Sequence, residues 1–98
     1  MNWIESLEDL YEFISMVVVY APNDFPKEDF LSDQEQLDLK KAFEELNRGM
    51  TFVAKKIPDP NKQHKLQELL DASLAAYRDG DNVKGAHLLQ DFEVEVFG

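Results

Sequence analysis

The sequence predicts an all-α fold: a compact bundle of about four helices with antiparallel helical hairpins. Three observations carry that prediction. Apolar residues recur at steps of three and four along most of the 98 residues, which is helical spacing. Proline, glycine and capping residues cut this pattern into four segments. No segment carries the Gly- and Asn-rich turns of hairpin strands. A chain of this length is expected to form a single helical domain, residues 1–98, around one modest core.

The first segment places Trp3, Leu7, Leu10, Ile14 and Val17 on one helix face, with Ile4, Tyr11 and Val18 alongside. Glu5, Glu8, Asp9 and Glu12 form the opposite face, and acids in a first turn suit the positive end of the helix dipole. From Met16 to Tyr20 the run is apolar all round, which predicts burial on several sides. A short strand is the competing reading there, because β-branched residues favour strands. Pro22 closes the segment, and residues 22–32 read as a loop, since Pro22 and Pro26 forbid a regular helix.

Ser32 and Glu35 match the capping box, a serine followed three residues later by glutamate, and so announce a second helix. Behind them Leu39, Phe43, Leu46, Met50, Val53 and Ile57 form the cleanest amphipathic stripe of the chain. Gly49 interrupts it at a cost of about 1 kcal/mol relative to Ala. The stripe stays in phase across Gly49, so one long helix with a place to bend is expected. Pro58-Asp59-Pro60 ends it, and Asp59 can cap a third helix with Pro60 at its first position.

That third helix carries Leu66, Leu69, Leu70, Ser73, Leu74 and Tyr77. Gly80 is placed to be its left-handed C-terminal residue. Asp81 can cap a fourth helix bearing Val83, Ala86, Leu89, Phe92 and Val96. Alternation from Phe92 to Phe97 also fits a short strand, but a terminal helix fraying near Val96 is the expectation. The short connections imply antiparallel neighbours.

Charge is distributed unevenly over this framework. The chain holds 20 acids and 10 bases, a net charge of −10. Up to Leu39 there are ten acids against one base; from Lys40 to Arg78, five against eight; from Asp79 onward, five against one. Such a field repels nucleic acid and anionic membranes and attracts basic proteins. The lysines of the middle segment balance neighbouring acids on polar faces, so direct nucleic-acid binding is not expected.

Cysteine is absent, which removes disulfides, thiolate nucleophiles and cysteine-based metal sites and fits a reducing compartment. The N-terminus lacks the positive start and apolar run of a signal peptide. Met16 to Tyr20 is far too short to span a bilayer. A cytoplasmic protein is the expectation.

Chemistry-bearing motifs are sparse. The scattered glycines make no phosphate loop, and Ser6, Ser15, Ser32 and Ser73 lack a nucleophile-elbow context. His64 and His87 stand apart, with no closely spaced ligand set. A calcium loop starting at Asp79 would need an oxygen ligand at Val83, Gly at Lys84 and Glu at Gln90, and all three fail. The acids lie mostly on polar helix faces, where solvation accounts for them better than catalysis. Neither enzyme activity nor a cofactor is expected.

One local cluster stands out. Asp24, Glu28, Asp29 and Asp33 surround Phe25 and Phe30 in a loop stiffened by prolines. Acids steer a basic partner and set its register. An aromatic among them can supply the buried anchor of an interface. The alternative is that both phenylalanines fill the core while the acids are merely solvated. A second acidic-aromatic stretch runs from Asp91 to Phe97. The expected partner-binding set is therefore Glu5, Glu8, Glu12, Asp24, Phe25, Glu28, Asp29, Phe30, Asp33, Glu35, Asp91 and Glu95.

Two resemblances follow. The turn Tyr77-Arg78-Asp79-Gly80-Asp81, with small Gly85 and Ala86 behind it, resembles a tetratricopeptide-type helical hairpin over about 25 residues, a single unit where such arrays stack about three. That resemblance implies an acidic helical adaptor or chaperone module. Over the whole chain, the small size, acidity, helical pattern and missing catalytic motifs resemble the immunity proteins of bacterial toxin systems, of the contact-dependent growth inhibition or bacteriocin type. This second resemblance implies a toxin inhibitor that binds a basic cognate toxin, most plausibly a nuclease, as a monomer in a one-to-one complex.

Overall fold

The computed structural model describes residues 3–27 and 29–98. Its regular elements are α1 (Leu7–Tyr20), α2 (Leu39–Lys56), α3 (Pro60–Arg78) and α4 (Asn82–Phe97). The predicted all-α bundle is thus observed, and no strand occurs among the described residues. α1 packs on α2 and α4, α2 on α3, and α3 most extensively on α4, so the four helices close into a ring around one apolar core.

α1 begins later than the apolar stripe suggests. Ser6 is extended, and its hydroxyl accepts the Asp9 N–H at 3.1 Å. The Asp9 carboxylate in turn accepts the Glu5 N–H at 3.1 Å. This cap ends the helix on its N-terminal side, so Trp3, Ile4 and Glu5 lie outside it. Met16 to Tyr20 is helical rather than a strand, and its burial is one-sided. Val17 is fully buried, but Val19 is 69% exposed and Tyr20 37%.

α2 begins at Leu39 with Asp38 as its cap, accepting the Lys41 N–H at 2.8 Å. The Ser32–Glu35 pair forms hydrogen bonds within an isolated turn instead of starting the helix. The carbonyls of Gln34 and Gln36, in and just after that turn, accept hydrogen bonds from the Lys41 ammonium. α2 then runs unbroken through Gly49. A Cβ there would stand 3.0 Å from Leu10 Cδ1 and 3.5 Å from Ile4 Cγ2. At Gly49, therefore, Ile4 and Leu10 pack closely against α2.

α3 and α4 have the caps read from the sequence. Asp59 accepts the Asn61 N–H at 2.9 Å, with Pro60 opening the helix. Gly80 has φ +85°, the Gly80 N–H donates to Tyr77 O, and the Asp81 N–H donates to Ala76 O. These two bonds form a Schellman ending. Asp81 then caps α4 through the Lys84 N–H at 3.1 Å. Partners diverge in step on either side of the turn: Ser73 meets Gly85, and farther out Lys65 meets Glu95. That register makes an antiparallel hairpin, and α4 stays helical to Phe97.

The hairpin is held tightly at one point. A Cβ on Gly85 would lie 2.7 Å from Cδ2 of the Tyr77 ring, so the ring rests on bare backbone. Beside it the buried Ser73 hydroxyl donates to Gly85 O at 2.7 Å. The Tyr77 ring meets Phe43 of α2 edge-on, with centroids 6.1 Å apart. Its hydroxyl is buried without a hydrogen-bond partner among the described residues, and burial pushes the phenol above its ordinary pKa.

Two substitutions test this packing. Gly85→Ala drives a methyl into a rigid buried ring and is expected to destabilise by about 1–3 kcal/mol. Tyr77→Phe removes an unsatisfied buried hydroxyl and is expected to stabilise by about 1 kcal/mol, a rise in Tm of roughly 4–8 °C for a domain of this size. Urea and thermal unfolding followed by circular dichroism measure both. A neutral Gly85→Ala, or a destabilising Tyr77→Phe, contradicts the packing described.

Candidate partner-binding surface

Of the predicted set, Glu5, Glu8 and Glu12 are exposed at the start of the molecule, as are Asp24, Asp29, Phe30, Asp33 and Glu35 in the loop and Asp91 and Glu95 on α4. Phe30 is 68% exposed and stands as an aromatic among loop acids. Phe25 is different: it is 9% exposed and joins the core, so it fills apolar space and is withdrawn from the surface. The two phenylalanines therefore divide between the alternatives. Glu28 lies outside the described residues. Glu95 is engaged by Lys65 at 3.1 Å, which reduces its share of any attraction. The Ser32 hydroxyl and then the Ser32 N–H, both donating to Glu35, hold its carboxyl below the ordinary pKa.

The structure adds a feature that the sequence pattern hides. The stretch before α1 is fastened across α2 by polar bonds. The Trp3 N–H donates to Glu45 Oε1 at 3.1 Å, Arg48 Nε donates to Glu45 Oε2 at 2.9 Å, and Arg48 Nη2 donates to the Ile4 carbonyl. Glu45 is nearly buried, yet both its oxygens are satisfied, one of them by a cation. Ile4 is fully buried below this clamp.

The clamp leaves the Trp3 indole standing between two concavities. On the α2 side a groove of about 350 Å³ is lined by Trp3, Glu35, Leu37, Lys41, Glu44 and Arg48 among others. On the α1 side a smaller hollow of about 180 Å³ is lined by Trp3, Asp9, Glu12, Phe13 and Met16. The indole also packs on Phe13, with ring centroids 6.3 Å apart. Glu12 and Glu35, two of the predicted residues, thus line two different concavities that share Trp3.

Trp3, Asp9 and the Glu45–Arg48 clamp were not in the predicted set. Trp3 fitted the core stripe and was assigned to a helix. The signal that places it outside is Ser6 with Asp9 three residues on, an N-terminal capping pattern that starts the helix after Trp3. The spacing of Glu45 and Arg48 reads as an ordinary i,i+3 pair, and the bond that ties Glu45 to Trp3 spans 42 residues of sequence.

His64 and His87 are both exposed, and His64 Nε2 lies 2.9 Å from Glu68 Oε1. No group of three metal-ligating side chains gathers among the described residues. No helix among them is long and apolar enough to cross a membrane.

The clamp is open to test. Glu45→Ala strands the Trp3 N–H and one Arg48 bond, and is expected to cost about 2 kcal/mol. It should also shift Trp3 emission to the red as the indole becomes more hydrated. Since Trp3 is the chain's one tryptophan, steady-state fluorescence reads this directly, and unchanged emission argues against the clamp. No protein-family model matches the chain, and no curated protein or solved structure is similar enough to be matched to it.

Proposed function

We propose that this chain is an immunity protein, an antidote that binds and neutralises a basic cognate toxin by covering its cationic surface. The observation that supports this reading is the unequal charge. Glu5, Glu8, Glu12, Asp24, Asp29, Asp33 and Asp91 are exposed acids with no ion pair among the described residues. Unpaired exposed carboxylates destabilise a compact chain through mutual repulsion, and a partner of opposite charge relieves that repulsion. A nuclease suits the role, because an enzyme that grips phosphates is cationic near its active site. Long-range attraction also raises the association rate, and an antidote must capture its toxin quickly.

On this reading the protein is not an enzyme and needs no cofactor. It acts as a monomer in a one-to-one complex, in the cytoplasm of a bacterium, where a nuclease toxin finds its target. Phe30, with Asp24, Asp29 and Asp33 around it, supplies the aromatic anchor in place of Phe25.

The test is capture from the native host with this protein as bait at low and moderate salt, followed by mass spectrometry. One stoichiometric basic partner, toxic when expressed alone and harmless with the bait, supports the reading. Many substoichiometric partners, or self-association alone, point instead to an adaptor. With the toxin in hand, Asp24→Lys with Asp29→Lys is expected to slow association about tenfold or more while the circular dichroism spectrum is unchanged. Unchanged kinetics remove the loop from the interface.

A further inference from the structure

We infer that the hollow between Trp3 and α1 is a receptor for one arginine side chain of a basic protein partner. This deepens the proposed function and rests on it for the source of the arginine. Four observations converge. The hollow is lined by the Trp3 indole, Phe13 and Met16, while Asp9 and Glu12 supply carboxylates and no base among the described residues lines it. Its volume of about 180 Å³ falls below the roughly 300–1,000 Å³ of small-molecule sites, which suits a single side chain.

Both carboxylates retain acceptor capacity. Glu12 makes no hydrogen bond or ion pair with a described residue. Asp9 gives Oδ2 to the Glu5 N–H and keeps Oδ1. The groove on the α2 side differs. Lys41 and Arg48 already sit among Glu35, Glu44 and Glu45 there, and both are bonded to their own chain. An incoming cation therefore meets competition in the groove and none from a described residue in the hollow.

Arginine fits better than lysine. A planar guanidinium can stack on the indole while donating sideways to carboxylates, whereas a compact ammonium must keep more of its hydration.

The test uses Trp3 emission as the reporter and the tripeptide acetyl-Gly-Arg-Gly-amide as the probe, at constant ionic strength. The control is the citrulline counterpart, which has nearly the same shape without the charge. A saturable change is expected with the arginine peptide. Binding should weaken about threefold to tenfold with citrulline or in Glu12→Gln, and remain unaltered in Glu68→Gln, an exposed acid of α3 outside the proposed binding surface. Equal responses to both peptides, an unaffected Glu12→Gln protein, or no saturable change overturns the inference.

The two proposals fail separately. If the arginine peptide binds but no toxin is captured, the hollow stands and the antidote reading falls. If a toxin is captured whose complex leaves Trp3 emission unchanged and tolerates Glu12→Gln, the hollow falls and the antidote reading stands.

Discussion

The approach of the Tyr77 ring onto Gly85 is the constraint on which the rest of the bundle depends. It sets the separation of α3 and α4, and it leaves no space for even a methyl group at position 85. Through its edge contact with Phe43 the same ring orients α2 against the hairpin. Tyr77 achieves this with its hydroxyl buried and unpaired among the described residues. An unsatisfied hydroxyl costs about 1–3 kcal/mol, comparable with the roughly 0.5–1.5 kcal/mol of an aromatic pair beyond its area. The ring is therefore held by area burial and close packing, with its polar end as a standing cost.

A second close approach, at Gly49, brings Ile4 and Leu10 onto α2. Here the glycine works differently. Its helix-propensity cost of about 1 kcal/mol is offset by burial of Ile4 and Leu10, each fully removed from solvent and together worth roughly 3–6 kcal/mol on transfer. Glu45 and Arg48 then fix the chain ahead of α1, and this holds Trp3 upright at the surface. The aromatic wall is thus a product of core packing and of a near-buried ion pair.

The acids act at two ranges. Exposed carboxylates on α1 and the loop set a field that extends about a Debye length, near 10 Å at moderate salt. On the proposed reading that field selects a partner by sign and speeds encounter, but a field of this range cannot fix register. Register needs short-range contacts, and the surface offers an exposed aromatic in Phe30 and an indole-walled hollow in Trp3. The Met16–Tyr20 end of α1 leaves Val19 and Tyr20 in solvent because one face of a surface helix is all that a core this small can cover.

The sequence by itself determined the helices, most of their ends and the sign of the chain's own net charge. Asp59-Pro60, Gly80 and Asp81 act through bonds to neighbours within five residues, so their chemistry is legible without a fold. Net charge is a sum and needs no geometry. The tertiary structure decided what depends on distant chain. Ser32–Glu35 had the right spacing for a helix start, yet the pair closes an isolated turn and the helix starts at Leu39 with Asp38 as its cap. Phe25 and Phe30 have the same local chemistry, and only the position of the core separates them. Trp3 became a surface wall through Glu45, 42 residues away. Periodicity records which side chains are apolar; it does not record which of them the finite core has room to bury.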